Sequence, residues 1–194
     1  MSSHIMLYDY LAGDKDINSK VLVEVGTTRE AVSGQDSTKY FYNISNELGF
    51  KFITVDMDEE NSRNVESRFP NISAVTMKGE DYLKEYQGMI DYVYLDAFDF
   101  YHSQHPQYRK DKYRDILNCE INNESCHKMH LECCESLINK MPTGGIILFD
   151  DVLNPQYDGK GKTAIPFLLE NNFNVVRYHP GVRGCLLVKL SQHS

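Results

Sequence analysis

Short apolar runs alternate with amphipathic stretches along most of this chain, and that alternation limits the folds open to it more than any other feature. Val21-Leu22-Val23-Glu24-Val25 reads as a strand, followed by a helix from Thr38 to Leu48 with Asp36 or Ser37 as its cap. Phe52-Ile53-Thr54-Val55 reads as a second strand. A helix then runs from Glu59 to Phe69, with acids in its first turn that suit the helix dipole and Pro70 to end it. Ile72 to Met77, Ile90 to Leu95 and Gly145 to Phe149 read as three more strands, with a short helix from Asp81 to Tyr86 and a longer one from Ser125 to Met141 between them. Strands that alternate with helices build right-handed crossovers and a parallel sheet covered on both faces. Near-continuous apolar runs are what such buried strands require. The end changes character: Phe173 to Tyr178 and Cys185 to Val188 flank the turn-rich His179 to Gly184, an antiparallel hairpin.

The expected fold is therefore α/β, a Rossmann-like three-layer sandwich on a mostly parallel seven-stranded sheet with a C-terminal antiparallel hairpin. Its 194 residues suit one domain over 1–194. The core spans about 20–190, and 97–124, too long for a simple crossover, reads as an insertion folded over the strand ends as a lid. Tyr157 to Lys162 reads by composition as a flexible loop.

Charge and composition narrow the partners. Lys and Arg number 20 against 28 Asp and Glu, a net charge of −8. Phosphate backbones call for a basic face, so no nucleic-acid partner is expected, and Arg109-Lys110-Lys112-Arg114 reads as the solvated side of a helix. No apolar run approaches the roughly 18 residues of a membrane span, so no membrane partner is expected. The start lacks the basic and apolar regions of a secretory signal, and five cysteines is an odd number, which together point to a reduced cytoplasm.

In an open α/β sheet, ligands bind beyond the carboxyl ends of the strands. The residues there are Glu24 with Gly26-Thr27-Thr28-Arg29-Glu30, then Asp56 and Asp58, then Gly79-Glu80-Asp81, then Asp96, Asp99 and His102, then Asp150 and Asp151. Every parallel strand brings a carboxylate to one rim. Like charges gather at a cost unless cations or hydroxyl groups lie between them. An acid at the tip of the second strand suits a ribose diol, and Gly26 lets backbone approach a ligand. The dinucleotide glycine fingerprint is not met, which argues against a nicotinamide cofactor.

Val23-Glu24-Val25-Gly26, Val55-Asp56-Met57-Asp58, Gly79-Glu80-Asp81, Leu95-Asp96 and the terminal hairpin resemble the successive motifs of class I S-adenosylmethionine-dependent methyltransferases, over about Lys20 to Lys189. That resemblance implies S-adenosylmethionine as cofactor. Glu24, Gly26 and Thr27 would lie near its methionine part, Asp56 at the ribose hydroxyls, and Glu80 or Asp81 at the adenine amino group. The chain departs from the family in keeping one glycine of the first motif. Asp96, Asp150 and Asp151 further resemble the metal ligands of magnesium-dependent O-methyltransferases of the catechol and macrolide-sugar types. This implies Mg²⁺ or a similar divalent ion that activates a hydroxyl of a small molecule or sugar. The catechol type carries a basic residue three positions beyond the acid matching Asp96. Here that position is Asp99, so His102 becomes the expected base, with His105 second and Asp99 beside it. The acceptor is small, or a partner subunit in a homodimer completes the recognition surface. His127, His130 and Cys134 share a helix face open to zinc, yet Cys126, Met129, Cys133, Leu137 and Met141 read as a core stripe, the preferred reading.

Overall fold

Parallel pairing starts at the first strand and fixes where everything else must go. The structure is a computed structural model that describes residues 2–29, 34–103, 105–118 and 120–191. Glu30 of the first rim segment lies outside the described residues. Among these residues the strands are β1 (Val21–Val25), β2 (Lys51–Asp56), β3 (Ser73–Thr76), β4 (Tyr92–Leu95), β5 (Ile146–Phe149), β6 (Phe173–His179) and β7 (Gly184–Lys189), in one sheet of order β3-β2-β1-β4-β5-β7-β6. The first five run parallel. β7 lies antiparallel between β5 and β6. The expected sheet and terminal hairpin are thus present.

The helices are α1 (Tyr8–Gly13), α2 (Ser37–Leu48), α3 (Glu59–Arg68), α4 (Gly79–Glu85), α5 (Gln107–Lys112), α6 (Asn123–Leu137) and α7 (Ala164–Glu170). Their starts follow local chemistry. Asp36 accepts the Lys39 N–H at 3.1 Å to cap α2, and Asn122 accepts the Ser125 N–H at 2.8 Å to cap α6. Gly49 closes α2 in the left-handed conformation, at φ 86°.

The period of two in each strand splits the core. Val23, Val55, Val93, Leu95 and Phe149 face one way, against Leu83 of α4, Leu137 of α6 and Leu168 of α7. Leu22, Phe52, Tyr92, Tyr94 and Leu148 face the other way, against Met6, Leu7, Leu11 and Phe41. Cys126, Met129, Cys133, Leu137 and Met141 are buried, the core stripe read from the sequence.

The packed N-terminal segment is a feature the sequence reading leaves out. A 3₁₀ turn over Ser3–Leu7 leads into α1, and Leu7 and Leu11 are wholly buried. Leu11→Ala is expected to lower unfolding free energy by about 2–5 kcal/mol, the range for a buried leucine truncation. Chemical denaturation measures it, and a loss below about 1 kcal/mol, the size of an ordinary point substitution, would show the docking of this segment to be dispensable.

Candidate functional site

The parallel strands all end on one edge, and at that edge a cavity of about 470 Å³ opens. This lies within the roughly 300–1,000 Å³ of small-molecule sites. Its walls come from Val25 to Arg29 after β1, Asp56 to Asp58 after β2, Lys78 to Glu80 after β3 and Asp96 to Phe98 after β4. Tyr108, Arg109, Lys112, Tyr113 and Ile116 border it from the 97–124 segment.

Gly26 is where backbone crowding demands glycine. Its φ is +103°, and a Cβ there would stand 2.6 Å from the Ala97 nitrogen. Asp56 closes β2, and its Oδ1 accepts the Asp58 N–H at 2.8 Å. Burial raises the Asp56 carboxyl above the usual carboxylate range. Glu80 sits in the first turn of α4, and burial raises it likewise. Gly26, Thr27, Asp56 and Glu80 therefore share one cavity.

Two expected cofactor residues do not line it. Glu24 is wholly buried inside the sheet face. It lies opposite Thr54 in the β1–β2 register, so its side chain points along the face covered by α2. There it accepts hydrogen bonds from Ser37 Oγ at 2.5 Å, Thr38 Oγ1 at 2.7 Å and Thr54 Oγ1 at 2.7 Å. Burial pushes its carboxyl up to about 7 against those three donors. Glu24 thus fastens β1 to the start of α2 and to β2. Asp81 is exposed on α4, outside the cavity. Thr27 reaches the wall, but its hydroxyl is engaged with Thr54 Oγ1 at 2.7 Å.

The proposed metal ligands do assemble. Asp96, Asp150 and Asp151 each offer an oxygen within 4.8 Å of the others. A lysine already stands among them. Lys160 Nζ lies 2.5 Å from Asp96 Oδ1, 3.0 Å from the Asp96 carbonyl oxygen and 3.4 Å from Asp151 Oδ2, with its side chain only 2% exposed. Burial opposes the ammonium, but Asp96, Asp151, Asp150 and Asp99 outweigh it and hold Lys160 well above its ordinary range. The donor set as it stands does not fit a divalent ion, because a second cation would have to share these oxygens with an ammonium.

The loop that carries Lys160 is built for this approach. Gly159 has φ +87°, and a Cβ there would fall 2.2 Å from the Asp151 carbonyl oxygen. Val152 and Gly159 form an antiparallel bridge, and Leu153 N–H donates to Asp158 O at 2.8 Å. The stretch read as a flexible loop is packed against the strand ends. A lysine between two glycines was the sole sequence signal for it.

The expected base is not at the cavity. His102 is exposed and stacks on His105, with ring centroids 3.5 Å apart, and neither histidine lines the wall. Burial of the imidazole and its neighbour His105 lower the His102 pKa. Asp99 turns its carboxylate to Arg29 at 3.4 Å and Arg109 at 3.8 Å. Burial acts against it, but those guanidiniums and Lys160 hold Asp99 below the usual range. It is a structural anion that holds two wall arginines. The zinc option also has no support. His130 is buried and its Nδ1 donates to the Cys126 carbonyl at 2.8 Å. Among the described residues, Asp96, Asp150 and Asp151 are the one group of three or more His, Cys, Asp or Glu side chains with ligand atoms this close together, and it contains no histidine or cysteine. Among those residues no helix is long and apolar enough to cross a membrane.

No protein-family model matches the chain, and no curated protein matches it. Solved structures do. NSun6 from Pyrococcus horikoshii, determined with SFG, superposes with a TM-score of 0.64 at 10% identity over 99% of this chain and 53% of its own. The chain thus spans about half the length of that protein. An rRNA methylase from Streptococcus thermophilus gives a TM-score of 0.57 at 14% identity, covering 98% of both chains. CalS11, a TDP-rhamnose 3′-O-methyltransferase of calicheamicin biosynthesis, gives 0.58 at 13% identity over 96% of this chain and 76% of its own. The chain shares its fold with these proteins, with the strand order given above. The exclusion of nucleic acid on net charge is overturned, because an rRNA methylase shares the fold over the whole chain. Net charge sums the entire surface and does not describe one site: the cavity wall carries both signs, Arg29, Lys78, Arg109 and Lys112 beside Asp56, Asp58, Glu60, Glu80 and Asp96.

Proposed function

We propose that the chain is an S-adenosylmethionine-dependent methyltransferase that acts on an oxygen of a small hydroxylated molecule or a sugar. The observation that carries this reading is the convergence of Gly26, Asp56 and Glu80 on one cavity at the ends of β1, β2 and β3. In this reading Gly26 leaves room for the methionine end, Asp56 accepts from the ribose hydroxyls and Glu80 faces the adenine side. S-adenosylmethionine bound there supplies an electrophilic methyl group.

The chain's own residues then have to hold the acceptor and take its proton. Asp96 lines the cavity beside Gly26, whereas Asp99 and His102 do not. Burial raises the Asp96 carboxyl above the usual carboxylate range, with Lys160 acting against the rise. A carboxylate raised in this way is a stronger proton acceptor than an ordinary one. The 97–124 segment brings Tyr108, Tyr113 and Ile116 to the cavity border, which supports its role as a cover over the bound acceptor. The likeness to a sugar O-methyltransferase supports an oxygen acceptor.

A second acceptor class, RNA, is supported by the likeness in fold to an rRNA methylase over the length of the chain. Incubation with methyl-labelled S-adenosylmethionine separates the two. Label in pooled hydroxylated metabolites and nucleotide sugars is the expected result. Label only in ribosomal RNA would overturn the small-acceptor reading. Absence of S-adenosylhomocysteine binding in calorimetry would overturn methyl transfer altogether.

A further inference from the structure

We infer that Lys160 is a tethered replacement for a divalent cation: its ammonium neutralises the Asp96–Asp150–Asp151 cluster and keeps metal ions out of it. The argument rests on geometry. Three carboxylates with oxygens within 4.8 Å of one another need a counter-charge. The chain supplies one from within, at 2.5 Å from Asp96 and 3.4 Å from Asp151. Arg183 adds a second positive group, 3.8 Å from Asp151 Oδ1.

The placement is built. Lys160 is 1% exposed, its backbone N–H donates to the Asp151 carbonyl at 3.3 Å, and its ammonium also donates to the Asp96 carbonyl at 3.0 Å. The second Asp96 oxygen takes the Tyr94 hydroxyl at 3.4 Å. Both carboxylate oxygens of the acid at the cavity floor therefore have protein donors, and Asp96 is held in place without a metal. A surface lysine would leave if an ion arrived, but this one enters through the Gly159 turn and is enclosed. Lys160 is thus a positioning residue that acts through Asp96.

Mn²⁺ is the probe, read by its spin-resonance signal with the full chain. The wild-type protein is expected to show no Mn²⁺ binding that Asp151→Asn removes. Lys160→Ala is expected to gain at least about tenfold in Mn²⁺ affinity, the equivalent of roughly 1.4 kcal/mol. That gain should disappear in the Lys160→Ala/Asp151→Asn double variant. Lys160→Arg, which keeps a cation, should go on excluding Mn²⁺. Wild-type binding that Asp150→Asn or Asp151→Asn abolishes would overturn the inference, as would a folded Lys160→Ala that gains nothing. If Lys160→Ala does not fold, the wild-type titration decides alone. None of these readouts requires methyl transfer, so failure here is separable from failure of the proposed activity.

Discussion

Replacing Asp56 with alanine is expected to weaken S-adenosylhomocysteine binding by about 10–100-fold, the worth of roughly 1.5–3 kcal/mol for hydrogen bonds to a charged acceptor. The carboxylate lies on the cavity wall at the tip of β2, with one oxygen already oriented by the Asp58 N–H at 2.8 Å. A fixed acceptor loses little freedom when a diol arrives. Asp56 is not a core support: its main internal partner is a local turn, so the variant should keep the wild-type melting temperature. Calorimetry on wild type and variant reads the effect. Unchanged affinity with intact folding would remove Asp56 from the cofactor site while leaving the cavity assignment open to Glu80.

The second large effect is a pH dependence of stability that traces to Glu24. Its folded pKa is raised from 4.5 to about 7, first by burial, with three hydroxyl donors acting against that rise. A group whose folded pKa is raised contributes stability that is fully present below the unfolded value, here 4.5, and is lost as pH rises through 7. The shift corresponds to about 3 kcal/mol at one pKa unit per 1.36 kcal/mol. Glu24→Gln keeps the size and an acceptor but cannot ionise. The stability difference, wild type minus Glu24→Gln, should therefore fall by up to about 3 kcal/mol between pH 4.5 and pH 8. Urea unfolding across that range measures it. Parallel curves for the two proteins would show that Glu24 does not titrate in this window. Glu24→Ala should be worse at every pH, because Ser37, Thr38 and Thr54 lose their shared acceptor.

The strands were readable because parallel strands buried on both faces have to be apolar almost throughout, as in Ile146 to Phe149. Asp56 was readable because it ends its strand, where a side chain meets the rim whichever face it belongs to. Glu24 misled for the complementary reason. It stands one residue before the end of β1, so the period of two commits it to a face, and register with Thr54 decides which. Lys160 was hidden by composition. Gly-Lys-Gly-Lys describes a solvated loop, and no local rule says that three aspartates from two other strand ends wait for one of those lysines. The acids were legible one by one, but the source of their counter-charge was a tertiary fact. α1 and α5 are six residues each, too short for periodicity to show.

The position of β7 has a consequence for synthesis. It is made after β6 yet lies inside it, between β5 and β6. Until residues 184–189 have left the ribosome, Ile146 to Phe149 present a bare apolar strand edge on the growing chain. The sheet is thus sealed by a late insertion rather than by sequential addition. An interrupted or slowly translated message would leave that edge free to pair with another chain, a route to aggregation that the finished protein does not offer.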